Sequence, residues 1–330
     1  MKKKHSRLNL SILLISLLIL QCKEDHINNT TTASDSVSGS DSAVVEKEVE
    51  REEAPQENFT YTQFIFPEKK KDSVMSSFKE KYSKEELYTI LALNRLDVDN
   101  AWRADTLSIP NKIEADFIKY SPFPSQLDIL SDVNKFVIFS YPIQAYAAYE
   151  NGKLVKWGPT SMGKKAAKTK TGLMFANWKK ELAISTVNKS WKLPYNFNIH
   201  NTLGIGWHQY DLPGYPASHS CLRLLMDDAK WMYNFGEQWV LNKGGATVRA
   251  NGTPVIVFGE YGWGKKKPWK YLNENPSAAA YSVEQMNAEI EPFKQKIIEE
   301  QTKRQDVLAQ IQQEKSTVIT KPVVETTLGE

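Results

Sequence analysis

A single thiol stands out among the side chains that could do chemistry. Cys221 lies in the Ser-His-Ser-Cys-Leu-Arg run of residues 218–223, and His200 lies upstream with seventeen residues between it and Ser218. A cysteine becomes a strong nucleophile when a nearby base or positive field removes its proton. A lone cysteine with a histidine elsewhere in the chain therefore predicts a cysteine nucleophile with a histidine base.

The residues around this pair resemble the L,D-transpeptidase catalytic domain over roughly residues 133 to 260. That family has a histidine, a spacer, and then Ser/Thr-His-Gly-Cys followed by an apolar residue and often arginine. Here the corresponding segments are residues 199–202 and 218–223, with a Lys-Thr-Gly turn at 170–172 and closing strands at 245–248 and 253–255. The resemblance implies a mainly β fold, with a β-sandwich or barrel catalytic domain and one helix after the cysteine motif.

The resemblance also implies a role for each residue of the motif. Cys221 is the nucleophile, and His200 is the base that maintains its thiolate. The carbonyl of Asn201 would orient the imidazole, as the third group of a catalytic triad does. His219 would shape the pocket and hydrogen-bond the substrate, and Arg223 would hold the loop or meet a substrate carboxylate.

Two residues of this region stand apart from the pattern. Ser220 occupies the position where the family has glycine, next to the backbone amides expected to form the oxyanion hole. Because glycine tolerates backbone angles that other residues avoid, serine there would be strained or would narrow the site. His208 also lies between the two halves of the motif, and we interpret it as a packing residue.

The implied reaction is a two-step acyl transfer on peptidoglycan stem peptides through a Cys221 thioester, which cross-links third-position diamino acids. Water as acceptor would make the protein an L,D-carboxypeptidase, and a protein lysine would attach that protein to the wall. A non-catalytic, wall-binding lipoprotein is the alternative of another class, and Ser220 is its best support. No cofactor is implied, and five histidines with one available cysteine form no pattern of metal ligands.

The elements that must position these residues read as short strands between residues 133 and 262. Asn151-Gly152 predicts a tight hairpin turn, and Asn251-Gly252 predicts a second one between strands at 246–249 and 254–258. A helix is predicted from Asp227 to Trp239. Several short strands separated by turn signals favour a sandwich or barrel.

The N-terminus reads as an export signal, residues 1–22. Four basic residues precede a thirteen-residue apolar run that ends before Cys22. Such a run is too short to span a bilayer comfortably and suits a secretory signal. Cys22 resembles the lipidated cysteine of bacterial lipoproteins, which implies a membrane-anchored protein facing the periplasm or the cell surface. Residues 23–57 are polar and Glu-rich, which predicts a disordered linker.

Two further modules flank the β-rich region. Residues 58–125 predict a small α+β module, with a capping box at Ser83 and a resemblance to the second half of a LysM peptidoglycan-binding motif. A packing module specific to this protein is the alternative. Residues 282–316 carry apolar side chains at helical spacing, which predicts an amphipathic helix that packs on the catalytic domain or on a protein partner. The net charge of +3 is too balanced to favour nucleic acid.

Overall fold

The computed structural model describes residues 59–319, with the side chains described up to residue 316. The predicted signal peptide (1–22), the lipidation site Cys22 and the linker (23–57) lie outside the described residues. Within residues 59–319, no helix is both long enough and apolar enough to cross a bilayer.

The N-terminal module is α+β, as predicted. Two antiparallel strands enclose two helices, in the order β1 (Tyr61–Ile65), α1 (Lys71–Glu80), α2 (Lys84–Leu93) and β2 (Thr106–Pro110). Helix α2 begins with the predicted capping box, because the Ser83 side chain accepts from the Glu86 amide and the Glu86 side chain accepts from the Ser83 amide. Glycan binding by this module stays a prediction.

A five-stranded sheet forms the first layer of the catalytic region. Its order is β5-β4-β3-β13-β6, built from β3 (Phe136–Ser140), β4 (Ala145–Glu150), β5 (Lys153–Pro159), β6 (Gly172–Phe175) and β13 (Pro254–Phe258). The Asn151-Gly152 turn joins β4 to β5 with positive φ at both residues, as the hairpin prediction requires. Strand β3 is buried on both faces, so one layer of side chains covers each face of the sheet.

A four-stranded sheet forms the second layer and carries the cysteine motif. Its order is β10-β9-β8-β7, built from β7 (Lys179–Ile184), β8 (Lys192–His200), β9 (Ile205–Gln209) and β10 (Leu222–Leu224). Strands β9 and β10 are parallel, while the other pairs are antiparallel. One apolar core joins the two sheets, with Phe139 and Val257 from the first sheet packed with Trp207 and Leu222 from the second.

The helix after the cysteine motif is present as α3 (Met226–Phe235), shorter than the predicted 227–239. The second predicted hairpin is wrong. Strand β12 (Val248–Ala250) pairs with β11 (Val240–Leu241), whereas β13 pairs with β3 and β6. Glycine is required at residue 252 because two backbone carbonyls lie close to it. A Cβ there would lie 2.1 Å from the Glu237 carbonyl oxygen and 2.3 Å from that of Ala176.

The C-terminal helix α4 (Val283–Ile319) is present and packs on the other face of the five-stranded sheet. Its apolar side chains at helical spacing, Met286, Ile290 and Ile297, are buried against that sheet and the segment before it. Arg304 extends the contact through a 2.8 Å ion pair with Glu237. Of the two predicted roles for this helix, the structure therefore shows packing on its own chain.

Candidate active site

Cys221 lies at the end of the loop that connects β9 to β10. Its thiol is free and half-buried, and Sγ lies 3.9 Å from the Gly204 carbonyl oxygen. Burial raises the pKa of the thiol above its ordinary value, while a hydrogen bond from the Gly206 amide and the charge of Arg223 act in the opposite direction. The resting side chain at neutral pH is therefore the thiol, and it needs a base at the moment of attack.

Two short hydrogen bonds hold the turn that presents Cys221. The Ser218 hydroxyl donates to the Cys221 carbonyl at 2.6 Å, and the Thr169 hydroxyl donates to the Ser220 carbonyl at 2.9 Å. Ser220 itself has φ +82°, in the left-handed region that glycine favours. Serine thus adopts the backbone conformation that the glycine of the family motif would supply. Within residues 59–319, the amides of Ser220 and Cys221 donate no hydrogen bond, so both remain available to an oxyanion.

His208 shares one face of the sheet with Cys221. Strands β9 and β10 pair in parallel with Arg223 opposite His208, and Cys221 lies two positions before Arg223. Because side chains alternate along a strand, Cys221, Arg223 and His208 project to the same side, away from the core that holds Trp207 and Leu222. Cys221 and His208 accordingly line one small cavity, called here the catalytic cavity.

The protonation state of His208 is fixed by its hydrogen bond. Its Nδ1 lies 2.8 Å from the Gln209 carbonyl oxygen. A carbonyl can only accept, so Nδ1 carries the proton and Nε2 is the unprotonated nitrogen. Burial lowers the pKa of His208 to about 4, against a smaller upward effect of that hydrogen bond, so the imidazole is neutral at pH 7. A neutral imidazole beside a protonated thiol is a competent general base.

His200, the predicted base, lies elsewhere. It is the last residue of β8 and pairs with Ile205, next to an irregularity in the β8–β9 pairing. Its Nδ1 accepts from the Leu203 amide at 3.3 Å, and its Nε2 lies 3.3 Å from Lys170 Nζ. A neutral imidazole accepts at only one nitrogen, so the Leu203 amide and the Lys170 ammonium compete for a single acceptor position. His200 does not line the catalytic cavity.

Asn201 does not orient a histidine either. Its side-chain oxygen accepts from the indole of Trp178 at 3.1 Å, and its carbonyl oxygen accepts from the Gly204 amide at 3.3 Å. The carbonyl of the residue after a histidine does fill the orienting role in this site, but the pair is Gln209 after His208. The predicted contact between a histidine and the carbonyl of the next residue is therefore present on β9 and not at the end of β8.

His219 lines the catalytic cavity, and its role in shaping the pocket for substrate stays a prediction. Its ring lies 5.0 Å from that of Trp191, and Lys164 Nζ donates to its Nε2 at 2.8 Å. Partial burial and the charges of Lys164 and Arg223 lower the pKa of His219, so this imidazole is neutral at pH 7. Its Nδ1 has no hydrogen-bond partner among the described residues.

Arg223 holds the loop, the first of its two predicted roles. Its guanidinium stacks 4.5 Å from the centre of the Tyr210 ring and donates to the Asp211 carbonyl at 3.2 Å. Its backbone also exchanges two hydrogen bonds with Ser161. Because the guanidinium also lines the catalytic cavity, it places a positive charge beside Cys221 that favours the thiolate as it forms.

The loop before Cys221 is anchored from outside its own sheet. The Asp97 carboxylate, from the N-terminal module, accepts from the Leu212 amide at 2.6 Å, and the Asp97 amide donates to the Leu212 carbonyl at 3.2 Å. Lys267, which follows β13, donates to the Gly214 carbonyl at 2.6 Å. The position of the loop therefore depends on one segment that precedes the two sheets in the chain and on one that follows them.

A larger cleft opens beside Ser220. It measures about 710 Å³ and is lined by Ser220, by the loop of residues 167–171 and by Tyr261 and Trp263. The predicted Lys-Thr-Gly turn thus contributes to its wall. Lys168 and Lys170 also line this cleft. Glu260 lies 3.7 Å from Lys168, which leaves the positive charge of Lys170 to favour an anionic peptide. A cleft of this volume can hold a short peptide, whereas the volume of the neighbouring catalytic cavity is too small for one.

Comparison with known sequences decides the family of the catalytic region. Residues 134–257 match the sequence model of YkuD, the L,D-transpeptidase catalytic domain. The chain contains a YkuD-type domain. The family resemblance predicted from the cysteine motif is therefore confirmed for this segment, and both sheets of the β-sandwich lie inside it or at its edge.

Solved structures give partial similarities to the same family. An L,D-transpeptidase from Stackebrandtia nassauensis is 26% identical with a TM-score of 0.32, and the alignment covers 39% of this chain and 57% of that protein. L,D-transpeptidase 1 of Mycobacterium tuberculosis is 20% identical, with a TM-score of 0.29 and coverages of 38% and 62%. The Enterococcus faecium enzyme, as a C442S mutant, is 23% identical, with a TM-score of 0.30 and coverages of 38% and 50%. The chain thus spans 50–62% of these three proteins. No curated protein matches the chain.

Across residues 59–319, no group of three or more histidine, cysteine or carboxylate side chains is arranged to hold a metal ion.

Proposed function

We propose that the protein is a cysteine-dependent L,D-transpeptidase acting on peptidoglycan stem peptides, with Cys221 as nucleophile and His208 as base. The observation that carries this proposal is the placement of Cys221 and His208 on one face of paired strands, lining one cavity. The YkuD match over residues 134–257 supports the reaction class.

In the first step, the Cys221 sulfur attacks the carbonyl carbon that joins the third-position diamino acid to a terminal D-alanine. The thiol proton passes to His208 Nε2, and the oxyanion is held by the free amides of Ser220 and Cys221. When the carbon–nitrogen bond breaks, the imidazolium returns this proton to the leaving amine of D-alanine. The product is a thioester on Cys221 with a neutral His208.

In the second step, an acceptor attacks the thioester. His208 takes one proton from the attacking group, the carbon–sulfur bond breaks, and the proton moves to the departing Cys221 sulfur. We propose the side-chain amine of a second diamino acid as acceptor, which forms a cross-link between third residues. Water gives L,D-carboxypeptidase activity through the same steps, and a protein lysine gives attachment of that protein to the wall.

The backbone at Ser220 bears on the alternative of a non-catalytic wall-binding protein. A serine that blocked the turn would favour a binder, but Ser220 adopts φ +82° and leaves its amide and that of Cys221 free. This conformation supports the catalytic proposal.

The first experiment measures acylation of Cys221. We expect a carbapenem, which mimics the acyl donor, to add one adduct to the wild-type protein in intact-protein mass spectrometry. Cys221→Ala should form none, and His208→Asn should slow acylation by about two to four orders of magnitude. His200→Asn is the matched control, and we expect it to acylate within a few-fold of wild type. If His200→Asn stops acylation and His208→Asn does not, the base has been assigned to the wrong strand.

The second experiment identifies the acceptor. Purified sacculi incubated with the protein and then digested should yield cross-links between third residues, as separated by chromatography and mass spectrometry. Loss of terminal D-alanine without cross-links would identify the carboxypeptidase instead. Sacculi that bind the protein while their muropeptide profile is unchanged would overturn the catalytic proposal.

We also propose that the chain is a lipoprotein anchored through Cys22 and facing the periplasm or the cell surface. Support comes from the basic and apolar run before Cys22 and from the family, whose substrate lies outside the cytoplasm. Metabolic labelling with a fatty-acid probe should modify the wild-type protein and leave Cys22→Ala unlabelled. Labelling of Cys22→Ala to the wild-type level would contradict the anchor.

A further inference from the structure

A third cavity lies between the N-terminal module and the five-stranded sheet, on the far side of that sheet from the core that carries the cysteine motif. It measures about 580 Å³, within the roughly 300–1,000 Å³ range of small-molecule sites. Its walls are mainly aromatic and aliphatic, with Tyr61, Leu93 and Phe123 from residues 58–125 and Trp157 and Leu272 from the rest of the chain. We call it the Arg95 cavity.

Arg95 is the charged residue deep in this cavity. It sits in the turn after α2 with φ +63°, and only 2% of its surface is exposed. Its Nε donates to the Ile143 carbonyl at 2.8 Å, and its Nη1 donates to the Leu93 carbonyl at 2.8 Å. The guanidinium also lies 5.1 Å and 5.8 Å from the ring centres of Trp269 and Trp157. These contacts fix the orientation of the guanidinium. Its Nη2 donates no hydrogen bond within residues 59–319, so this nitrogen is available to a ligand.

The charge of this cavity is unbalanced. Among the described residues that line it, Arg95, Lys119 and Lys153 are basic, and none is aspartate or glutamate. Lys119 lies 3.5 Å from Glu114, which does not line the cavity, and Lys153 is exposed at the mouth. Burial lowers the pKa of Arg95 to about 9, which still leaves it charged at pH 7. A buried cation held only by carbonyls and rings gains most from an anionic partner that brings further hydrogen bonds.

We propose that the Arg95 cavity binds a small amphipathic carboxylic acid, a ligand with one carboxylate and an apolar body. The carboxylate would accept from Arg95 Nη2, where a charge-assisted hydrogen bond replaces the missing counter-ion. The apolar body would lie against Tyr61, Phe123 and Trp157, whose surfaces make up the walls. Lys153 at the mouth would draw the anion in. This site is independent of the acyl transfer proposed for Cys221.

The test uses the full chain and decanoate as the probe, followed by isothermal titration calorimetry. We expect decanoate to bind with one site per chain, and decanol, which lacks the charge, to bind at least ten times more weakly. Arg95→Met should weaken decanoate binding at least tenfold, and Lys153→Glu about three- to tenfold. Lys243→Glu, the same charge reversal in the exposed β11–β12 turn, is the matched control and should change nothing. Cys221→Ala should also bind decanoate as wild type does, which separates this site from the catalytic one.

Because Arg95 also bonds three backbone carbonyls, its loss can unfold the protein. Circular dichroism would detect that, and Ser277→Trp, which fills the exposed mouth, then replaces Arg95→Met as the variant that should abolish binding. The proposal is overturned if wild type does not bind decanoate, or if decanol binds equally well. It is also overturned if decanoate binds to Glu57→Gln and not to wild type. The occupant of the cavity would then be a carboxylate of the protein itself, from the acidic segment before Phe59.

Discussion

Replacing Ser220 with glycine tests whether the turn before Cys221 is strained. Ser220 has φ +82°, a conformation that costs a residue with a Cβ about 1–2 kcal/mol. Glycine removes that cost but adds about 0.5–1 kcal/mol of backbone entropy to the unfolded chain. Within residues 59–319 the Ser220 hydroxyl makes no hydrogen bond, so nothing else is lost with the side chain. We therefore expect Ser220→Gly to raise the free energy of unfolding by about 0.5–1 kcal/mol.

The assay is urea unfolding followed by intrinsic fluorescence, with the melting temperature as a second measure. A gain of this size should raise the melting temperature by about 1–3 °C in a protein of this length. Ser131→Gly is the matched control, because Ser131 is exposed with φ −58° and its side chain makes no hydrogen bond in the described part of the chain. The same substitution there should lower stability by about 0.5–1 kcal/mol.

Opposite signs at the two positions would show that the backbone angle decides the effect. Ser220→Ala, which keeps the Cβ and removes the hydroxyl, should leave stability within about 0.5 kcal/mol of wild type. If Ser220→Gly destabilises the protein by as much as Ser131→Gly, the reasoning from the positive φ is wrong.

Three further changes probe the site. Thr169→Val removes the hydroxyl that donates to the Ser220 carbonyl and accepts from the Gly163 amide. We expect urea unfolding to show a loss of about 2–4 kcal/mol, because one buried and one partly buried partner lose their hydrogen bonds; an unchanged midpoint would contradict this. His208 is neutral when folded, with a pKa of about 4 against 6.5 in the unfolded chain. Its contribution to the free energy of unfolding is therefore complete above pH 6.5 and is lost as the pH falls towards 4. Relative to His208→Asn, wild type should lose about 3 kcal/mol over that window, and parallel pH profiles would refute the assignment. Lys164→Met removes a positive charge 2.8 Å from His219, so NMR titration should show a higher pKa for that imidazole, and a lower one would overturn the contact.

Local signals in the sequence predicted the elements whose conformation is decided locally. The Ser83 capping box begins α2 where expected, and the Asn151-Gly152 pair makes the tight turn between β4 and β5. The same Asn-Gly signal at residues 251–252 failed because a distant backbone contact decides that position. The Glu237 carbonyl approaches where a Cβ of Gly252 would stand, and the chain there passes between sheets instead of turning back.

The histidine base shows the same limit at the site. Spacing along the chain favoured His200, but the pairing of β9 with β10 decides which histidine faces Cys221. His200 ends β8, before the turn that leads into β9, and so lies one strand too far away. The signal that could have found His208 is its place in the short run Gly206-Trp207-His208-Gln209, which alternates between core and site faces. A loop joins β9 to β10, and the length of that loop does not reveal which residues of the two strands pair.

The anchoring of the loop before Cys221 has a consequence for how the protein can be divided. The residues that match the family, 134–257, include Leu212 and Gly214 but neither Asp97 nor Lys267, which hold those two residues in place. A fragment trimmed to the family boundaries would keep Cys221 and His208 and lose both contacts that hold the first half of their connecting loop. Transplanting this domain into another protein, or exchanging its N-terminal module for a relative's, would therefore change the position of the loop that carries Cys221.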